Sequence, residues 1–194
     1  MDIRNLLFKA RGFTPLPIVL IIIYQAQPHW LGALIGLTMA LSGEIVRLQG
    51  VRAAGGRTRT RQVGAKELCT WGLFAHVRNP LYIGNALIYF GLVVFAGGRW
   101  FLPLMLVALV YFVFQYGMII SLEEETLTRL FGAQYEEYKA HVPRLWPRLK
   151  PWAKSDEPHF LSWGKVFHTE KSTLLTFGFF ILAILIKVLI LHAR

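Results

Sequence analysis

A chain of 194 residues with 55% hydrophobic and only 16% charged content is too apolar for a soluble domain of this size, and its mean hydropathy of +0.46 points to one compact membrane domain. The formal net charge of +10 lies between apolar segments and accompanies no nucleic-acid recognition motif, so lipid headgroups are the expected anionic partner and nucleic acid is not. The single Cys69 excludes an internal disulfide and a cysteine-based zinc site, and six scattered histidines lack ligand spacing, so no metal is expected.

Five apolar segments are candidates for crossing a bilayer, which takes a helix of roughly 20 residues. The first, residues 13–26, is short but extendable by Leu6, Leu7 and Phe8; the second covers residues 30–48, and Gln27-Pro28-His29 closes the two into a tight hairpin. A basic stretch before an apolar run also marks a cleaved leader, but Pro15 and Pro17 interrupt this run and favour a retained segment. Residues 53–61, rich in Gly and Arg, read as a solvated or headgroup-touching loop. The third and fourth segments, residues 81–96 and 100–120, are separated only by Gly97-Gly98-Arg99, which forces antiparallel neighbours. Beyond Ile120, Leu127, Leu130 and Phe131 keep helical spacing until Gly132 offers a stop. Residues 157–169 read as an interfacial stretch anchored by Phe160, Trp163 and Phe167. The fifth segment, residues 173–191, carries Lys187 near its far end, where a long side chain can snorkel to the interface.

Lys and Arg crowd ahead of the first segment, between the second and third, and between the fourth and fifth; the opposite side holds Arg99 and Arg194, with Lys187 approaching it. The positive-inside rule then gives a cytosolic N-terminus and two long cytosolic connections. The expected fold is all-α: a multi-pass bundle of about five transmembrane helices whose cytosolic connections form a pocket. Residues 1–65 make an N-terminal hairpin and basic loop, 66–150 the core, and 151–194 an interfacial segment with a last helix.

Two polar constellations stand out, and the Gly97-Gly98-Arg99 turn brings both to the cytosolic side. Arg78-Asn79-Pro80-Leu81-Tyr82-Ile83-Gly84-Asn85 opens the third segment: Pro80 keeps Asn79 out of helical dihedrals and suits a first helical turn. Asn85 lies a turn inside the membrane on the face of Tyr82, where a polar group needs a partner or a cavity. Glu123-Glu124-Glu125 sets three carboxylates against one another and against the helix dipole, so a ligand with a cationic group would give them a reason to be there. No P-loop, G-x-G-x-x-G fingerprint or HExxH helix is present, and His76 stands out among the histidines only by its place two residues before Arg78.

These stretches, with Gly72-Leu73-Phe74, Phe131-Gly132-Ala133-Gln134-Tyr135-Glu136-Glu137-Tyr138 and Val142-Pro143-Arg144-Leu145-Trp146-Pro147, resemble in order and spacing the isoprenylcysteine carboxyl methyltransferase and phospholipid methyltransferase superfamily. The likeness covers residues 66–147. It implies an integral membrane enzyme that takes S-adenosylmethionine from the cytosol and a lipophilic or lipid acceptor from the bilayer, with Arg78 and Glu124 as its catalytic residues. In that reading Arg78 pairs the cofactor's carboxylate, Glu123 or Glu124 meets its ammonium or ribose, and Tyr82 and Asn85 complete the pocket. Leu68, Cys69 and Leu73 hold the adenine with Val77 nearby, and Lys66, His76 and Asn79 join the cofactor-binding set. Two departures bear on the acceptor. Where the family often has His after the Arg, Asn79 can bind but cannot exchange protons near neutral pH; where carboxyl-methylating members carry an Arg a turn before the acidic run, this chain has Ile119. Membrane sterol reductases that bind NADPH share a similar Arg followed by Asn-Tyr-x-Gly, and a non-catalytic lipid-binding protein on the same scaffold is the third alternative.

Overall fold

The computed structural model describes residues 2–55, 64–65, 67–152 and 159–192, the side chains of residues 191 and 192 excepted; Lys66 and much of the Gly/Arg-rich loop lie outside the described residues. Among them the chain is helical and no strand forms. The order is α1 (Ile3–Ala10), α2 (Leu16–Gln25), α3 (Trp30–Ala53), a short 3-10 turn (Gly72–Ala75), α4 (Pro80–Ala96), α5 (Phe101–Tyr111), a π-helical stretch (Phe112–Tyr116), α6 (Gly117–Phe131), α7 (Ala133–His141) and α8 (Trp163–His192).

Among the described residues three helices are long and apolar enough to cross a membrane: Trp30–Ala53, the continuous rod Phe101–Phe131 made by α5, the π-helical stretch and α6, and Trp163–Ile190. The other two apolar helices are shorter. The 10 residues of α2 rise only about 15 Å, half of a typical hydrocarbon core of about 30 Å. Pro15 and Pro17 at its start explain the truncation, since Pro suits a first turn and nothing deeper.

Glycine makes the closest helix pair. The backbones of α3 and α4 touch along Gly36, Gly43, Gly84 and Gly91: a Cβ on Gly43 would lie 2.6 Å from the Gly84 carbonyl oxygen, and one on Gly91 would lie 2.6 Å from that of Gly36. Because the helices are antiparallel, Gly50 meets Leu81 and Pro80, and the C-terminal end of α3 shares a level with the start of α4. At the other end Gly97 (φ +57°) and Gly98 (φ +84°) turn the chain into α5 through conformations that other residues rarely adopt. Gln27 N–H donates to the Ala96 carbonyl at 2.8 Å and Gln25 Nε2 to that of Gly97 at 2.7 Å. Lys187 is turned inward rather than out to an interface: its ammonium donates to the carbonyls of Ile23 and Ala26 (3.1 Å each) and of Tyr24, capping the end of α2. An apolar core of Ile22, Ile88, Leu92, Val93, Phe180 and Ile184 fills the space between.

α8 begins ten residues before the segment read from hydropathy. Arg47 of α3 neutralises its buried Glu170, so the helix continues through a stretch whose charges look interfacial in sequence. Its first turn is held to the end of α3, where Leu161 N–H donates to the Arg52 carbonyl (2.9 Å) and the Arg52 guanidinium lies 4.8 Å from the Trp163 ring.

Candidate functional site

Consecutive helical residues point about 100° apart, so the three carboxylates of α6 face three different neighbours. Glu123 accepts from the Tyr82 hydroxyl at 2.8 Å. Glu124 is buried between two guanidinium groups: Arg78 Nε and Nη2 approach its Oε1 at 3.1 and 3.0 Å, and Arg144 reaches the same carboxylate through Nε at 3.2 Å and through Nη2. Glu125, on the outer face, accepts from Arg4 at 2.8 Å and so ties α1 to the rod. The repulsion expected among the three is thus relieved within the chain, and Arg78 and Glu124, read from sequence as separate ligand contacts, are paired with each other.

The segment after α7 completes this arrangement. Arg78 Nη1 donates to the carbonyls of Lys139 (2.9 Å) and Val142 (3.0 Å), its backbone N–H donates to that of Pro143 (2.9 Å), and Asn79 Nδ2 donates to that of Arg144 (3.2 Å). Arg78 and Asn79 thereby fold residues 139–144 back over the start of α4. Below them Leu68, Tyr135, Tyr138 and Val142 form a small apolar cluster, and the Tyr138 hydroxyl donates to the Phe74 carbonyl at 2.7 Å. Burial pushes the Cys69 thiol up to about 12 and the Tyr135 and Tyr138 phenols above their usual range, so all three stay protonated near neutrality. Its hydrogen bond to Glu124 raises the Arg144 guanidinium further still, and the group remains charged.

A cavity of about 690 Å³ opens among these residues. Of the residues read from sequence as cofactor-binding, Leu68, Cys69, Arg78, Asn79, Tyr82, Asn85, Glu123 and Glu124 line it. Leu73, His76 and Val77 lie off its wall. Val77 is buried elsewhere, and His76 Nδ1 sits 2.9 Å from the Arg148 carbonyl, where the histidine helps hold the segment that returns after α7. Several lining residues were not singled out as site residues in the sequence reading: Phe8, Arg11 and Phe13 around α1, Tyr135 and Tyr138 of α7, and a stripe of α8. Arg144, bound to the Glu124 of this wall, stood in a quoted motif but without a role. Its long-range partner could not be read from spacing.

One to two turns further in, the wall carries a second polar layer. Arg47 Nη2 donates to Glu170 Oε2 at 2.6 Å and Nη1 to Asn85 Oδ1; Asn85 Nδ2 in turn donates to the Tyr116 hydroxyl at 3.2 Å. The partner that Asn85 needs at this depth is therefore contributed by α3 and by the π-helical stretch, which aims Tyr116 at the cavity. Beyond this layer Ile88 and Leu92 of α4 and Phe177 and Phe180 of α8 make the wall apolar. No cluster that could hold a metal ion occurs among the described residues.

The chain is 30% identical over 129 residues to methanethiol S-methyltransferase 2 of Bradyrhizobium diazoefficiens, covering 66% of this chain and 48% of that protein. It is 31% identical over 123 residues to protein-S-isoprenylcysteine O-methyltransferase B of Arabidopsis thaliana, covering 60% of each. The chain thus spans about half to three fifths of the length of these curated relatives. No solved structure matches it. The sequence profile of phospholipid methyltransferases matches residues 31–134, more than half of the chain and the stretch that holds both polar constellations, and the chain belongs to that family.

Proposed function

We propose that the chain transfers a methyl group from S-adenosylmethionine, bound at the Arg78 end of the cavity, to a lipophilic acceptor that enters from the membrane. The observation that carries this reading is one continuous cavity whose wall changes from Arg78, Glu123 and Glu124 at one end to Leu92 and Phe180 at the other. At the polar end Arg78, Lys9 and Arg11 share the wall with Glu123, Glu124 and Glu67, a mixture of charges that suits a zwitterionic amino-acid moiety. In this reading Arg78, on the wall, pairs the ligand carboxylate, with the half-exposed Arg144 sharing Glu124 beside it. Glu123, beside Tyr82 on the wall, is placed to take an ammonium or a ribose hydroxyl. Leu68, Cys69 and Phe74 with Tyr135 offer an apolar face for adenine.

When bound, the sulfonium supplies an activated methyl group, and its transfer is an in-line displacement that needs no nucleophile on the protein. The residues contribute alignment and exclusion of water. Tyr82 and Asn85 lie between the two ends of the cavity, where the acceptor's head would meet the methyl group. Residues 66–150 form the catalytic core in this proposal, between the N-terminal hairpin (1–65) and the C-terminal segment (151–194). The distribution of Lys and Arg supports a bundle of about five spans with the N-terminus and the polar end of the cavity in the cytosol.

Ligand-dependent thermal stability of the detergent-purified protein tests this reading. S-adenosylmethionine and S-adenosylhomocysteine should each raise the denaturation temperature, and NADPH should not. Stabilisation by NADPH alone would transfer the site to the reductase chemistry.

A further inference from the structure

The C-terminal helix lies outside the stretch that matches the family, yet it builds one wall of the cavity. Resting on the methyl-transfer reading above, we propose that α8 selects the acceptor, and that the arm between α8 and α4 receives a molecule with an uncharged thiol or amine head on a single apolar tail.

Polarity falls with depth on both walls and in the same direction. Ser172, Thr176 and Phe180 follow one another at i, i+4 and i+8 on α8, while Asn85, Tyr89 and Leu92 follow one another on α4. Both helices run inward from the same end, since α8 starts against Arg52 and α4 starts beside Gly50, two residues away on α3. The outer face of α8 is different. Leu175, Phe179, Leu182 and Leu189 are exposed there with no hydroxyl between them, as suits a surface against lipid. Ser172, Thr173 and Thr176 make this part of the cavity wall polar, and the Thr176 hydroxyl is kept satisfied by donating to the Ser172 carbonyl at 2.8 Å.

The rotation of α8 that presents this stripe is fixed by the fully buried Glu170, held by Arg47 at 2.6 Å. The same ion pair decides the charge of the head. Arg47 is the cation that meets this stripe, its Nη1 and Nη2 are engaged by Asn85 and Glu170, and the described lining residues of α4 and α8 add no other, so a phosphodiester lodged between those two helices would find no open cation to pair with; Lys9 and Arg11 line the cavity from around α1. Neutral donors and acceptors on Asn85, Tyr116 and Ser172 suit an uncharged head instead. The buried residues Leu92, Phe180 and Ile184 close the inner end of the arm, which limits the length of the tail. In the transfer a bond forms between the head's sulfur or nitrogen and the methyl carbon, the methyl–sulfur bond breaks with its electrons kept by sulfur, and the head's proton leaves through the polar end to water.

The test follows labelled methyl transfer from S-adenosylmethionine to ladders of increasing length, 1-alkanethiols near neutral pH and 1-alkylamines across a rising pH series, since an alkylamine, like a lysine with its pKa of about 10.4, is uncharged only in alkali. Vesicles of phosphatidylethanolamine serve as the two-chain comparison, and stabilisation by S-adenosylhomocysteine is read in parallel. Wild-type protein should prefer the ladders and show a length optimum, with kcat/KM falling about tenfold or more for the first carbon beyond it. Phe180→Ala should move the optimum to longer tails and Thr176→Phe to shorter ones, both still stabilised by S-adenosylhomocysteine. An optimum that stays the same in both variants, or label that enters phosphatidylethanolamine in preference to the ladders, would overturn the proposal while leaving the donor site intact. No stabilisation of the wild type by S-adenosylhomocysteine would overturn both readings.

Discussion

Removing the carboxylate of Glu124 should destabilise the fold before it affects any ligand. Glu124→Ala leaves Arg78, whose side chain is only 11% exposed, without its counter-charge. Breaking a buried ion pair from one side typically costs about 3–5 kcal/mol. The carbonyls of Lys139 and Val142 still accept from Arg78 Nη1, which places the expected loss near the lower limit, about 3 kcal/mol. Arg144 adds only about 0–1 kcal/mol, because half of its side chain is already in solvent. Glu124→Gln keeps the shape and one acceptor and should cost less, about 1–3 kcal/mol. Denaturant titration in micelles, followed by tryptophan fluorescence, measures these losses. A double-mutant cycle with Arg78→Met should return a coupling of about 1 kcal/mol or more. A Glu124→Ala protein within about 0.5 kcal/mol of wild type that no longer binds S-adenosylhomocysteine would refute the reasoning, and Glu124 would be a ligand contact without a structural role.

Three further outcomes follow from the packing. Gly43→Ala places a methyl group 2.6 Å from the Gly84 carbonyl and should cost about 1–3 kcal/mol or more, whereas Gly117→Ala, with open space around it, should be neutral or slightly stabilising; thermal denaturation separates the two. Lys187→Met withdraws the donor shared by three carbonyls at the end of α2 and should lower stability by about 1–3 kcal/mol, with an unchanged denaturation temperature counting against the cap. Cys69 reacts only as the thiolate, and burial holds its thiol up at about 12, so maleimide labelling at neutral pH should be roughly a thousandfold slower than for an unperturbed thiol with a pKa of about 8.5. Its rate should keep climbing with pH where an unperturbed thiol has levelled off, and a plateau near pH 9 would contradict the burial.

Local features of the fold were legible where one short stretch contains its own cause. Gly97-Gly98-Arg99 reads as a tight turn because only glycine adopts both positive φ angles cheaply, and the apolar spacing to Phe131 with Gly132 after it reads as a helix and its stop. The π-helical stretch at Phe112–Tyr116 was not legible. One extra residue in a turn leaves the composition unchanged and shows only in which side chains face inward. The early start of α8 was hidden for a different reason: Lys165 and Glu170 look like interface residues until Arg47, 123 positions away, neutralises one of them.

The same distinction runs through the candidate site. Arg78 to Asn85 and Glu123 to Glu125 are contiguous runs whose burdens, a polar residue inside a membrane segment and three adjacent carboxylates, can be stated from sequence alone. Their resolution is non-local in every instance: Asn85 is met by Arg47 and Tyr116, Glu124 by Arg78 and Arg144, Glu125 by Arg4. The Arg47–Glu170 pair goes further, because it relieves no burden visible in either run. A buried ion pair of this kind is often no more stable than apolar residues of the same volume, so stability alone gives little reason to keep it. It is specific about geometry, since Glu170 meets Arg47 in only one rotation of α8. That rotation turns Ser172, Thr176 and Phe180 toward the cavity and leaves Leu175 and Phe179 exposed on the outside. An apolar pair at positions 47 and 170 would hold the helix with less control over its rotation, and the wall facing the acceptor would lose its order of polarity before the protein lost its fold.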